Sequence, residues 1–118
     1  MSEITLYHNP RCSKSRAALA LLEENDITPR VVLYLDQPPG LEELEALLRK
    51  LGMGIRDILR QGEAEYKQYQ LGDSALSDDI VYNIVAEHPR LIERPIIVRG
   101  ERAVIGRPPE RVLALLKD

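Results

Sequence analysis

Apolar and polar positions alternate over Ile4-Thr5-Leu6-Tyr7, a β-rich run that Asn9-Pro10 ends, so a strand is predicted there. From about Ser13 to Asn25 the spacing changes: Ala17, Ala18, Leu21 and Leu22 recur at helical intervals. Val31-Val32-Leu33-Tyr34-Leu35 is nearly continuous in apolar residues, the pattern of a strand covered on both faces. Strand, helix and strand in that order predict a parallel pair joined by a right-handed crossover.

The loop Asp36-Gln37-Pro38-Pro39-Gly40 separates this unit from a helix marked by Leu41, Leu44, Leu47, Leu48 and Leu51. Glu42 and Glu43 suit that helix's first turn, Arg49 and Lys50 its last, and Gly52 stops it. Shorter helical pieces follow around Ile55–Arg60 and Glu63–Tyr69, and Ser77-Asp78-Asp79 opens another that ends near Glu87-His88-Pro89. Ile96-Ile97-Val98 is a third strand, turned through Arg99-Gly100-Glu101-Arg102 into Ala103-Val104-Ile105. Pro108-Pro109-Glu110 starts a last helix, with Val112, Leu113, Leu115 and Leu116 on its buried side. The order is β-α-β, four helical segments, then β-β-α. The expected organisation is one domain over residues 1–118, with a helical subdomain at about 41–88 inserted after the second strand.

Composition narrows the classes. With 118 residues, 44% of them hydrophobic, the chain supports one domain with a core. A net charge of -3 argues against a nucleic-acid binder that works through general basicity. Met1-Ser2-Glu3 runs straight into an apolar strand, so neither a signal peptide nor a membrane span is expected. One cysteine fits a reducing, cytoplasmic setting, and with His8 and His88 it falls short of a zinc ligand set. Each strong apolar face has a home in the core, so a monomer is expected.

Cys12 lies in His8-Asn9-Pro10-Arg11-Cys12-Ser13-Lys14-Ser15-Arg16, between the first strand and the first helix. A thiol at a helix N-terminus among cationic residues is pushed towards thiolate. Being alone, it must take any second thiol from another molecule. Ser15, three residues on, is expected to aim its hydroxyl at the sulfur as a donor, and a protonated His8 would add positive charge. Arg11, Lys14 and Arg16 read as local field and solubility residues. Arg107 stands near the last helix's N-terminus, a poor place for a cation against the dipole, which points to an anion site.

Tyr7 through Arg16, Leu33-Tyr34-Leu35, Arg94-Pro95-Ile96 and Gly106-Arg107-Pro108 together resemble the glutaredoxin-coupled arsenate reductase family, part of a superfamily that includes Spx-type regulators. The resemblance covers essentially the whole chain. It implies a thioredoxin-like α/β fold, in which the proline after Arg94 is cis and faces the active cysteine. It implies Cys12 as the catalytic residue and Arg60, Arg94 and Arg107 as oxyanion-binding residues. Arg60 is aligned through Leu51-Gly52 and Arg56-x-x-Leu59-Arg60, with Arg56 a neighbour able to take its place. The chain ends soon after its last helix, as expected for a shorter subgroup.

The implied activity is reduction of arsenate to arsenite, with no bound cofactor, glutathione as co-substrate and glutaredoxin as partner. A regulator that binds RNA polymerase and a monothiol glutaredoxin-like protein share the fold. Ser15 in place of a second cysteine excludes an internal disulfide switch for the former. Glutathione recognition without need of three guanidinium groups argues against the latter. The Cys-x5-Arg loop of phosphatase-like arsenate reductases is absent, since position 18 is Ala.

Overall fold

A computed structural model describes residues 3–116; the Met1-Ser2 start, on which the expectation of no leader partly rests, lies outside them. The chain forms two compact units, residues 1–37 with 94–118 and residues 38–93.

The first unit holds strands β1 (Ile4–His8), β2 (Arg30–Leu33), β3 (Ile96–Arg99) and β4 (Arg102–Ile105) and helix α1 (Ser13–Glu24). Sheet order is β2-β1-β3-β4; β1 and β2 run parallel, and the other neighbours antiparallel. This is the thioredoxin-like α/β arrangement. The final segment, Pro109–Leu115, is a 3-10 helix packed on α1 and β4 rather than the expected α-helix. Leu6, Ala18, Leu22, Ile97 and Val112 are fully buried in one cluster. Each large aliphatic side chain taken from water in this way contributes about 1.5–3 kcal/mol.

Three expectations need correcting. The second strand is not covered on both faces: it is the sheet's edge, with Val31 43% and Leu33 38% exposed. A continuous apolar run carries no information about strand order, and the edge leaves these side chains beyond the helix layer. Leu113, read as buried by spacing, is exposed. Only Ser15, Ala18 and Leu22 of α1 are buried, a narrower stripe than the run suggested.

The second unit contains helices α2 (Leu41–Leu51), α3 (Ala64–Gln68) and α4 (Asp78–Glu87), with 3-10 turns at Ile55–Ile58 and Pro89–Leu91. Helix α2 buries Leu44, Leu47 and Leu48, and Gly52 ends it at φ 70, a left-handed conformation that a Cβ would strain. Ser77 caps α4 by accepting the Ile80 N–H at 3.4 Å. Helix α4 packs on α2 and on both 3-10 turns. Main-chain bonds from Arg60 N–H to Leu91 O and from Glu93 N–H to Ile58 O, each 2.8 Å, stitch the chain around the end of the first 3-10 turn to the unit's exit. His88 caps α4's end, where its Nε2 lies 3.1 Å from the Tyr69 hydroxyl.

Candidate active site

Cys12 is the N-cap of α1, in extended conformation and half-buried. The loop before it is held by Asn9, which sequence reasoning missed. Asn9 is buried; its carbonyl accepts the Cys12 N–H at 2.9 Å, and its side-chain oxygen accepts the Arg11 N–H at 3.0 Å. An Asx turn of this kind is a recognisable sequence signal ahead of a helix. Arg16, read as a solubility residue, donates from Nη1 to Pro10 O at 2.9 Å and so ties the helix back to the loop.

Ser15 is completely buried, and its hydroxyl turns inward rather than to the sulfur. Its Oγ accepts the Asn9 N–H at 3.1 Å and shares a 2.6 Å hydrogen bond with His8 Nδ1. The expected thiolate-donating hydroxyl is therefore replaced by a strut that fixes the loop. His8 likewise supplies no cation: burial first, then the nearby Arg16 charge, pushes its imidazole below the ordinary range and keeps it neutral.

Burial alone would push the Cys12 thiol up. The backbone N–H groups of Ser15 and Lys14, then the Arg94 guanidinium by hydrogen bond and by charge, outweigh it and hold the thiol below its ordinary value. Cys12 makes no cap hydrogen bond of ordinary geometry; these N–H groups act on it as aligned dipoles at the helix start.

The arginines arrive by strand register. Ile96 pairs with Ile105 in the β3–β4 hairpin, and Gly106 N–H donates to Pro95 O at 2.8 Å, so the same register sets Arg94 opposite Arg107. Both arginines immediately precede a cis-proline, and only the first of these was expected. Arg107 Nη1 donates to Arg94 O at 3.2 Å and lies 3.9 Å from Cys12 Sγ. Gly106 allows the approach: a Cβ there would sit 2.9 Å from Pro95 Cγ and 3.1 Å from Ile97 Cδ1. The two-residue hairpin loop was the available signal, because it alone fixes every pair along both strands.

Arg60 belongs to the second unit. Its Nε lies 3.4 Å from Glu63 Oε2, and Glu63 is also held by Arg90 at 3.0 Å. Burial raises the Glu63 carboxyl, but the hydrogen bonds and charges of Arg90 and Arg60 pull it below the usual carboxylate range. Arg56 is no substitute for Arg60. Its guanidinium donates to the Leu71 carbonyl at 3.0 Å, to Asp73 O at 3.4 Å and to Leu76 O, and it pairs with Asp78 at 3.6 Å.

The pairing of a low-pKa thiol with two guanidinium groups suits attack on a tetrahedral oxyanion, since planar forks donate to oxygen pairs while their charge offsets repulsion between two negative centres. Among the described residues no group of three or more His, Cys, Asp and Glu is placed to hold a metal, and no helix is long and apolar enough to cross a membrane.

Comparison with known proteins agrees with this chemistry. The chain is 47% identical over 117 residues to a protein named arsenate reductase from Neisseria meningitidis, covering 98% of this chain and 100% of the relative. It is 48% identical over 115 residues to the uncharacterized protein YfgD of Escherichia coli K12, covering 97% of each. A solved structure described as arsenate reductase from Vibrio cholerae superposes with a TM-score of 0.93 at 51% identity, covering 96% of this chain and 97% of that one. A model of the ArsC family matches residues 7–115. The chain belongs to the ArsC family.

Proposed function

We propose that this protein reduces arsenate to arsenite in the cytoplasm, using Cys12 as nucleophile and external thiols as electron donors. The observation that carries the reading is the Arg94–Arg107 pair set beside a thiol already shifted towards thiolate. In the first step the Cys12 thiolate attacks arsenic; a sulfur–arsenic bond forms, and an oxygen leaves as water after protonation. Arg94 and Arg107 hold the remaining oxygens and disperse the charge that builds on them. Arg60 keeps the role that the resemblance implies, as a further oxyanion-binding residue.

Glutathione then adds to arsenic and displaces a second oxygen as water. The two sulfurs join, their bonds to arsenic break, and arsenic takes the electron pair and leaves as arsenite. A Cys12–glutathione mixed disulfide remains, and glutaredoxin returns it to the thiol by exchange. The need for outside thiols follows from the chain's one cysteine, and their identity from the resemblance. A coupled assay with arsenate, glutathione, glutaredoxin and NADPH-linked recycling tests the reading. Arsenate-dependent turnover that is lost in Cys12→Ser supports it. Absence of turnover in the wild type, with copurification of RNA polymerase, overturns it in favour of a regulator.

A further inference from the structure

Arg56 and Arg60 both belong to the helical unit, but their guanidinium groups are used differently. Arg56 commits both Nη groups to the carbonyls of Leu71, Asp73 and Leu76. Among the described residues the Arg60 guanidinium has one partner, Glu63, whose Oε2 accepts from Nε at 3.4 Å. Both Nη groups of Arg60 are left over, and a guanidinium edge of that kind can bind a pair of anionic oxygens.

The start of the Arg60 side chain is also fixed. Its N–H donates to Leu91 O at 2.8 Å, and its carbonyl accepts the Glu63 N–H at 3.2 Å. Main chain and carboxylate therefore hold this long, rotamer-rich side chain at both ends.

Glu63 is itself anchored. Its Oε1 accepts from Arg90 Nη2 at 3.0 Å and from Arg90 Nε at 3.3 Å. Glu65 Oε1 lies 3.9 Å from the same Nη2 and steadies Arg90 from another direction. The Glu63 side chain is only 17% exposed. It stands at the N-cap of α3, yet it makes no side-chain cap bond there. Its carboxylate serves the two arginines and not the helix end, which is the usual employment of a polar side chain at that position.

We infer that Glu63 is the positioning residue for Arg60: anchored on Arg90 by one oxygen, it holds the Nε edge of Arg60 with the other and leaves the Nη fork for an oxygen pair of arsenate. This deepens the arsenate reductase reading and rests on it, because that reading is what gives Arg60 an oxyanion to bind. Glu63 touches neither arsenate nor the thiol and acts through Arg60 alone.

The test is protection of Cys12 by arsenate in the absence of glutathione. Alkylation by iodoacetamide is followed as the mass increase at Cys12 over a series of arsenate concentrations. Each variant is scaled to its own arsenate-free rate, which removes any change in thiol reactivity. Glu63→Ala is expected to raise the half-protecting arsenate concentration about two- to tenfold, the effect of having to immobilise one long side chain on binding. General electrostatics predicts the opposite sign, since losing a negative charge favours an anion. In an Arg60→Ala background, itself more weakly protected than the wild type, Glu63→Ala should cause no further rise. A merely structural ion pair would not show that dependence on Arg60. Glu63→Gln keeps the side chain's shape with one acceptor for two arginines, and should shift protection in the same direction by a smaller factor. It serves as the test if thermal unfolding shows that Glu63→Ala does not fold.

Protection unchanged or strengthened in these Glu63 variants overturns the inference. So does an equal rise in the Arg60→Ala background, or an Arg60→Ala variant protected as well as the wild type. In each of those cases a protected wild type leaves Cys12 with an oxyanion site. Absence of protection in the wild type overturns that reading, and the role of Glu63 falls with it.

Discussion

The sheet unit and the helical unit use polar groups for different ends. Around Cys12 the main chain does most of the placing. Asn9 O receives the cysteine's N–H, Pro95 O receives Gly106 N–H, and hairpin register sets Arg94 against Arg107. The helical unit is instead gathered by long side chains reaching into loops. Arg56 binds the carbonyls of Leu71, Asp73 and Leu76, and Glu63 bridges Arg60 and Arg90. Sheets fix position at strand ends to within a fraction of a residue's spacing, which suits chemistry. Short helices separated by irregular chain lack such a ladder, and a five-donor guanidinium can replace it.

The sharpest break in this comparison is Cys12→Ser, which should abolish arsenate-dependent turnover in the coupled assay. Circular dichroism should stay native, because the residue is half-buried and caps the helix equally well as Ser. Retained turnover would remove the thiol from the mechanism.

Arg56→Met should destabilise the helical unit by about 2–3 kcal/mol, since it orphans carbonyls now bound by a charged donor. Hydrogen exchange should speed up most between residues 56 and 76. Protection unchanged there would mean that the loop carbonyls do not depend on Arg56.

Two glycine substitutions probe packing in the two units. Gly106→Ala forces a Cβ to 2.9 Å from Pro95 Cγ and should cost roughly 1–3 kcal/mol, with a higher KM for arsenate as Arg107 shifts. Gly62→Ala meets nothing within 4 Å and should change thermal stability by less than about 0.5 kcal/mol. Equal effects from the two would contradict the idea that the sheet unit's precision rests on close backbone approach.

The smallest expected effect is on titration. Thiolate formation at Cys12 has its midpoint below the thiol's ordinary value, because the helix-start N–H groups and Arg94 favour the charged form and outweigh burial. Removing a cation from an acid's surroundings raises its pKa. Arg94→Ala should therefore shift the pH midpoint of iodoacetamide alkylation upward and slow alkylation at neutral pH. A midpoint that stays or falls would take Arg94 out of the sulfur's environment.

Much of the sheet unit was legible. The β-α-β start, the hairpin and Cys12 at the helix N-terminus all follow from local pattern, because each involves residues close in sequence. The inward turn of Ser15 and the neutrality of His8 were not legible: both depend on what is buried. A helical spacing of three places Ser15 near the sulfur or beneath the loop with equal ease, and only packing against His8 and Asn9 chose the second. Arg56 looked like a stand-in for Arg60 because both are arginines on short helical segments. Carbonyls 15 to 20 residues away decided otherwise.

By itself the sequence determined the order of elements, the demand for external thiols and, through Gly100-Glu101, the pairing that joins Arg94 to Arg107. These rest on local propensity, residue count and a two-residue turn, none of which needs a distant partner. Tertiary structure alone decided that β2 is an edge and that Val31 and Leu33 stay exposed. The reason is physical: strand order is set by which faces α1 and the last 3-10 helix can cover, and an apolar run reads the same in the middle of a sheet as at its margin.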